Sequence, residues 1–184
     1  GAQVTVLARN MDVRRMLANL YGNRISTLFA TAQTLDQAVT ESDLVSGGVL
    51  IPGASAPKLV TRDMIKRMPE GSVIVDVAID QGGCFETSKA TTHTDPTYEV
   101  DGILHYCVAN MPGAVPLTST MALTNATLPY ALTIANQGWK HVARNNAGIR
   151  EGFNLVEGKV CYKGVAEAFD MDYVPVDELL KVAP

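Results

Sequence analysis

Asp80 is the residue of this chain best placed to do chemistry. It closes the run Ser72-Val-Ile-Val-Asp-Val-Ala-Ile-Asp80 and precedes Gln81-Gly82-Gly83-Cys84. A carboxylate can move a proton, and it can hold a cation or a polar nucleophile in place. Two glycines beside it let another molecule approach the backbone. The same residue types also make ordinary turns. A second candidate, Val108-Ala-Asn-Met111, ends another apolar run, and an Asn there can both donate and accept hydrogen bonds. His93 and His105 are general-base types without an obvious sequence partner, and both stay outside the catalytic set. Cys84 reads as a small buried hydrophobe rather than a nucleophile.

Such residues need rigid elements beneath them. The run 72–80 is nearly continuous in apolar, β-branched residues, as a strand buried on both faces of a parallel sheet must be. Ligands of open α/β sheets sit just beyond the carboxyl ends of such strands, where Asp80 would lie. Further strands are expected over 3–8, 24–29, 43–51 and 103–108. Helices are expected over 10–21, 34–41 and 61–68. Asn10 and Thr61 cap the first and third, and Met11, Met16, Leu17 and Leu20 would face inward from the first. Pro52-Gly53 turns the chain. This alternation is the signature of βαβ units.

After Pro116 the pattern changes. A helix is expected over 119–137, kinked by Pro129, followed by more helix over 140–151, a short strand over 158–162 and a helix over 165–169. A nucleotide-binding βαβ fold normally opens strand, G-x-G-x-x-G, helix. That motif is absent here, and Gly1-Ala2 running straight into a strand reads as a chain that begins midway through a domain. The expected fold class is α/β. Residues 1–116 form a Rossmann-like doubly wound parallel sheet without its first βα unit, and 117–184 form a helical segment of a second domain.

Composition narrows the function classes. The chain has 184 residues, 47% of them apolar, enough for a sizeable core. Only 18% are charged, against roughly 25% in typical soluble domains, which points to surface buried against something outside this chain. The charge-free stretch from Gly102 to Trp139 carries prolines and many Thr, which suits burial in protein rather than lipid. A net charge of −4 without a basic block argues against a nucleic-acid partner. No signal peptide or membrane span is evident, and three cysteines without metal spacing fit a reducing cytoplasm.

Several long segments resemble bacterial alanine dehydrogenases. They are Val45-Ser-Gly-Gly-Val-Leu-Ile-Pro-Gly-Ala-Ser-Ala-Pro-Lys-Leu-Val60, Val73-Ile-Val-Asp-Val-Ala-Ile-Asp-Gln-Gly-Gly-Cys-Phe-Glu-Thr87 and Thr91-Thr-His-Thr-Asp-Pro-Thr97. His105-Tyr-Cys-Val-Ala-Asn-Met-Pro-Gly-Ala-Val-Pro116 and Ala122-Leu-Thr-Asn-Ala-Thr-Leu-Pro-Tyr130 continue the series in order. The resemblance implies an NAD-dependent enzyme that interconverts L-alanine with pyruvate and ammonia, acting as a homohexamer of two-domain subunits. This chain would be the C-terminal half. The other half would supply the glycine motif and the substrate-binding Arg, Lys and His.

On that resemblance, Asp80 matches the family's active-site aspartate. Val49, Leu50 and Ile79 match positions that line the cofactor, although buried strand alone also explains them. The loop Val108-Ala-Asn110-Met111 matches one that reaches the nicotinamide. Departures gather at the adenosine end. Ala8 stands where the family has a ribose-binding Asp, Arg9 follows it, and Val13 and Ala30 replace polar positions. An Arg there can receive a 2′-phosphate, so NADP tolerance is one outcome and weakened dinucleotide binding another. Ser46 and Ser55 replace the more usual family Ile and Lys, and no physical account of either is offered. The rival assignments are the NAD-binding subunit of a proton-translocating transhydrogenase and a non-catalytic binding or assembly fragment.

Overall fold

Strand β1, Val4–Ala8, is apolar except for Thr5 and pairs in parallel with β2, Ile25–Phe29. Between them runs α1, Met11–Tyr21, whose first turn is closed by Asn10: its side-chain oxygen accepts the N–H groups of Asp12 and Val13 at 2.8 and 3.2 Å. The expected inward face of α1 is not buried. Met11, Met16 and Leu20 are exposed, and no α1 residue is fully covered within this chain. Helix α2, Ala32–Thr40, starts from a Thr31–Thr34 capping box.

The main sheet has the order β3-β4-β6-β5. Strands β3 (Leu44–Gly47), β4 (Val73–Asp76) and β6 (Ile103–Tyr106) run parallel, and β5 (Thr97–Val100) is antiparallel at the edge. Strand β5 was not expected from sequence. It joins β6 through Asp101-Gly102, both at positive φ (54° and 79°), the backbone that a two-residue hairpin needs. Phe85, Ile65, Ile74 and Ile103 fill the core of this layer, with α3 (Arg62–Lys66) supplying Ile65. Thr61 caps α3 by accepting the Met64 N–H at 3.3 Å.

The computed structural model describes residues 1–49, 51 and 55–181. Leu50 and the Pro52-Gly53 turn lie outside them. The described chain divides into two compact units. The first holds Gly1–Val49 and Ala56–Ala109; the second holds the described residues from Asn110 onward with Ile51 and Ser55.

In the second unit the long helix α4, Pro116–Gln137, starts three residues earlier than expected and continues through Pro129. None of its residues is buried within this chain, and Leu117 and Leu123 are 78% and 66% exposed. Within the charge-free stretch, Ile103, His105, Cys107 and Val108 are buried as expected, but the burial expected over α4 is not supplied by the described residues. The single helix expected over 140–151 is two, α5 (Trp139–Asn145) and α6 (Ala147–Glu151). Asn146 separates them by adopting an extended backbone and accepting the Ile149 N–H at 3.0 Å. A small core of Ala143, Val156, Cys161 and Val176 packs with Trp139 and Phe153, whose rings meet edge-on at 6.0 Å. The hairpin β7–β8 (Leu155–Val156, Lys159–Val160) and helices α7 (Lys163–Phe169) and α8 (Val176–Leu179) complete the unit.

Candidate active site

Strand β4 ends at Asp76, four residues before Asp80. This corrects the expected strand end. The apolar run continues through Val77-Ala78-Ile79, but the Asp76 side chain turns it aside by accepting the Ala78 N–H at 3.0 Å. Ile79–Gln81 then form one 3-10 turn, with Gly82 at φ 90° behind it. Asp80 sits on this turn with its side chain exposed, just beyond the carboxyl edge of the sheet.

Parallel pairing puts the strand ends on that same edge. Gly47 of β3 lies opposite Asp76 of β4, and Val75 lies opposite Tyr106 of β6. Gly47 could not be another residue without repacking, because a Cβ there would meet the Cys84 sulfur at 2.3 Å and the Phe85 ring at 2.6 Å. Val49 follows β3 and is half-buried against the core. Ile79 and Val108 are buried. Asn110 and Met111 belong to the second unit. There Asn110 is exposed, takes a left-handed backbone (φ 62°, ψ 50°) and opens the 3-10 turn Met111–Ala114.

The adenosine-end candidates lie at the carboxyl end of β1. Ala8 is half-buried, Arg9 is exposed, and the Ala30 N–H donates to the Ala8 carbonyl at 3.3 Å. Two of the three departures expected from the resemblance, Ala8 and Ala30, thus share one strand-end edge with Arg9, while the third, Val13, lies in the first turn of α1. No carboxylate stands at position 8.

The remaining chemistry-bearing residues have structural work. His105 is fully buried, stacks on Tyr98 with ring centroids 5.0 Å apart, and has both ring nitrogens engaged. A carbonyl can only accept, so Nδ1–H donates to the Ile103 carbonyl at 2.9 Å, and Nε2 takes the Thr87 hydroxyl at 2.7 Å. Burial holds its pKa below the ordinary value, against a smaller opposing pull from the Ile103 hydrogen bond. His93 is exposed. Cys84 is buried, and its thiol pKa is pushed up to about 12, first by burial and then by the Asp76 charge, the reverse of an activated nucleophile. Cys107 and Cys161 are also free and buried. Among the described residues no His, Cys, Asp and Glu cluster could hold a metal ion, and no helix is long and apolar enough to cross a membrane.

Sequence reasoning missed Asp76. It is fully buried, accepts the Cys84 N–H at 2.9 Å as well as that of Ala78, and takes a short hydrogen bond from the Ser88 hydroxyl. The available signal was a charge inside an apolar strand, which is costly unless fully hydrogen-bonded.

A family model described as alanine dehydrogenase/PNT, C-terminal domain, matches residues 1–163. The chain is 56% identical over 180 residues to an alanine dehydrogenase of Halomonas elongata, covering 98% of this chain and 48% of that protein. It is 55% identical over 183 residues to alanine dehydrogenase 2 of Staphylococcus aureus, covering 99% and 49%. A solved L-alanine dehydrogenase superposes with a TM-score of 0.79 at 45% identity, over 92% of this chain and 47% of that one. A transhydrogenase from Sinorhizobium meliloti is more distant, with a TM-score of 0.64 at 27% identity over 73% and 38%. The chain spans about half the length of the curated relatives it matches. With a family model covering most of its residues and relatives above half identity, the chain belongs to the alanine dehydrogenase/PNT C-terminal domain family.

Proposed function

We propose that this chain is the C-terminal half of an NAD-dependent alanine dehydrogenase, which converts L-alanine to pyruvate and ammonia reversibly. The observation that carries this reading is the exposed Asp80 carboxylate on a pinned turn beyond the carboxyl ends of β3 and β4. Residues 1–116 serve as the dinucleotide-binding domain, and 117–184 return to the substrate domain. Among the described residues β1 pairs only with β2, and β3 only with β4. A strand lying between β1 and β3 would join the two sheets, as the first βα unit of a Rossmann domain does. The alanine dehydrogenase likeness, at higher identity and coverage, outweighs the transhydrogenase one.

NAD supplies the hydride acceptor when bound. The edge formed by Val49, Ile79, Asp80 and Val108 fits its nicotinamide half, the family resemblance adds Leu50, Asn110 and Met111, and Ala8 and Arg9 are assigned to the adenosine end. Asp80 orients the water that attacks the imine carbon of the oxidised substrate. In the reverse direction it orients ammonia by hydrogen bonding. The enzyme works as a homohexamer in the cytoplasm. Alanine-dependent NADH formation by the complete polypeptide, measured by absorbance, tests this. Turnover of about 1–10³ per second is expected from the complete polypeptide and none from residues 1–184 alone. An active isolated chain, or a complete polypeptide inert with alanine, would overturn the assignment.

A further inference from the structure

We propose that Asp76 is a positioning residue for the reaction, acting through the turn that carries Asp80. The proposal rests on the reading of Asp80 given above. Asp76 has no exposed surface, and among the described residues its side-chain hydrogen bonds all go to the excursion from Val77 to Ser88. One carboxylate oxygen accepts the Ala78 N–H, two residues before Asp80, and has the Cys84 thiol 3.6 Å away. The other accepts the Cys84 N–H, four residues after Asp80, together with the Ser88 hydroxyl. The turn is thus tied to one side chain on both sides of Asp80.

A second set of contacts holds the same turn from outside. Lys58 extends its ammonium to the carbonyls of Gly82 and Gly83, the latter at 2.9 Å. The Ala56 N–H donates to the Gln81 carbonyl at 2.8 Å, and the Leu59 N–H donates to the Cys84 carbonyl at 2.8 Å. Inside the turn, Gly82 N–H reaches the Ile79 carbonyl at 3.0 Å and Gly83 N–H the Ala78 carbonyl at 2.9 Å. The peptides flanking Asp80 are therefore fixed on both faces while its carboxylate stays free at the tip.

A buried carboxylate is a costly way to end a strand. What it gains here is a fixed location for one exposed acid. Misplacing a reacting group by about 1 Å can cost on the order of 10²-fold in rate.

The test is a mutant cycle in the complete polypeptide with Asp76→Asn, Asp80→Asn and the double variant. The measurements are kcat, KM for alanine, NADH affinity and the unfolding midpoint. Asp76→Asn is expected to lower kcat about 10–100-fold, with NADH affinity within about threefold of parent because the Asp76 side chain is fully buried and its hydrogen bonds go to the 77–88 excursion. In the Asp80→Asn background the same change should move kcat less than about threefold, since coupled residues are not additive. Equal losses in both backgrounds would overturn the positioning role and leave the Asp80 reading intact. Parental turnover by Asp80→Asn would overturn both. Should Asp76→Asn fail to fold, Ser88→Ala removes a single donor without touching the charge. It should cost roughly 3–10-fold in kcat in the parent only, about the weight of one ordinary hydrogen bond. Parental kcat in Ser88→Ala, or an equal loss without Asp80, would overturn the proposal.

Discussion

Gly83 and Asp76 leave no room for a side chain between them. A Cβ on Gly83 would lie 2.5 Å from the Asp76 carboxylate and 2.7 Å from the Ser88 Cβ, and Gly83 also has φ at 77°. Both constraints act on one residue. Gly83→Ala should therefore destabilise the first unit by at least the roughly 1–2 kcal/mol of a left-handed backbone, with the steric clash added. Denaturant unfolding of the two proteins would measure it. Gly82→Ala, where a Cβ meets nothing within 4 Å, should lose only the backbone part.

Burial of neutral His105 makes stability depend on pH. Its folded pKa is held below the ordinary 6.5, so below that pH the unfolded state binds a proton the folded state refuses. This contribution is fully present above about 6.5 and is lost as pH falls from there toward the folded pKa. Unfolding midpoints measured from pH 8 down to 5 should decline for the parent. His105→Gln should be less stable at pH 8 and should show a shallower decline.

Asp80→Asn in the complete polypeptide should cut turnover about 10²–10⁴-fold, with the unfolding midpoint unchanged. The side chain is exposed, so the exchange leaves the core alone. Normal turnover with normal cofactor affinity would make Asp80 a turn residue.

Ala8→Asp in the complete polypeptide should swing cofactor choice toward NAD. The edge at 8, 9 and 30 now offers a guanidinium and no carboxylate. A charge-assisted contact to a 2′-phosphate is worth roughly 1.5–3 kcal/mol, or about one to two decades in affinity. The ratio of kcat/KM for NAD and NADP, in parent and variant, reads this out. A ratio that does not move would put Arg9 in solvent.

The exposed apolar side chains of α4 should be covered in the complete protein. Sedimentation should show an oligomer, and Leu123→Glu or Leu132→Glu should dissociate it or prevent folding. An active monomer tolerating both changes would remove α4 from any interface.

The parallel layer was legible because buried strands leave apolar, β-branched runs such as Val73-Ile-Val75. Caps at Asn10 and Thr61 were legible because their oxygens satisfy N–H groups that every helix start leaves free. Strand β5 was missed although Asp-Gly between apolar residues is a strong hairpin signal. The end of β4 was misplaced because the carboxylate that stops it bonds to Cys84 and Ser88, eight and twelve residues on. Periodicity cannot register such a tertiary contact. The inward face assigned to α1 failed for the opposite reason. Its spacing is amphipathic, but the surface it would cover is not within this chain.

The three buried thiols give the protein a built-in clock. Cys84 and Cys107 lie in the first unit and Cys161 in the second. A thiol-directed reagent can modify each one only after its surroundings open. Labelling rates resolved by peptide mass would therefore time the breathing of the two units independently, without an added probe. Ligands that tighten one unit would slow its own thiols.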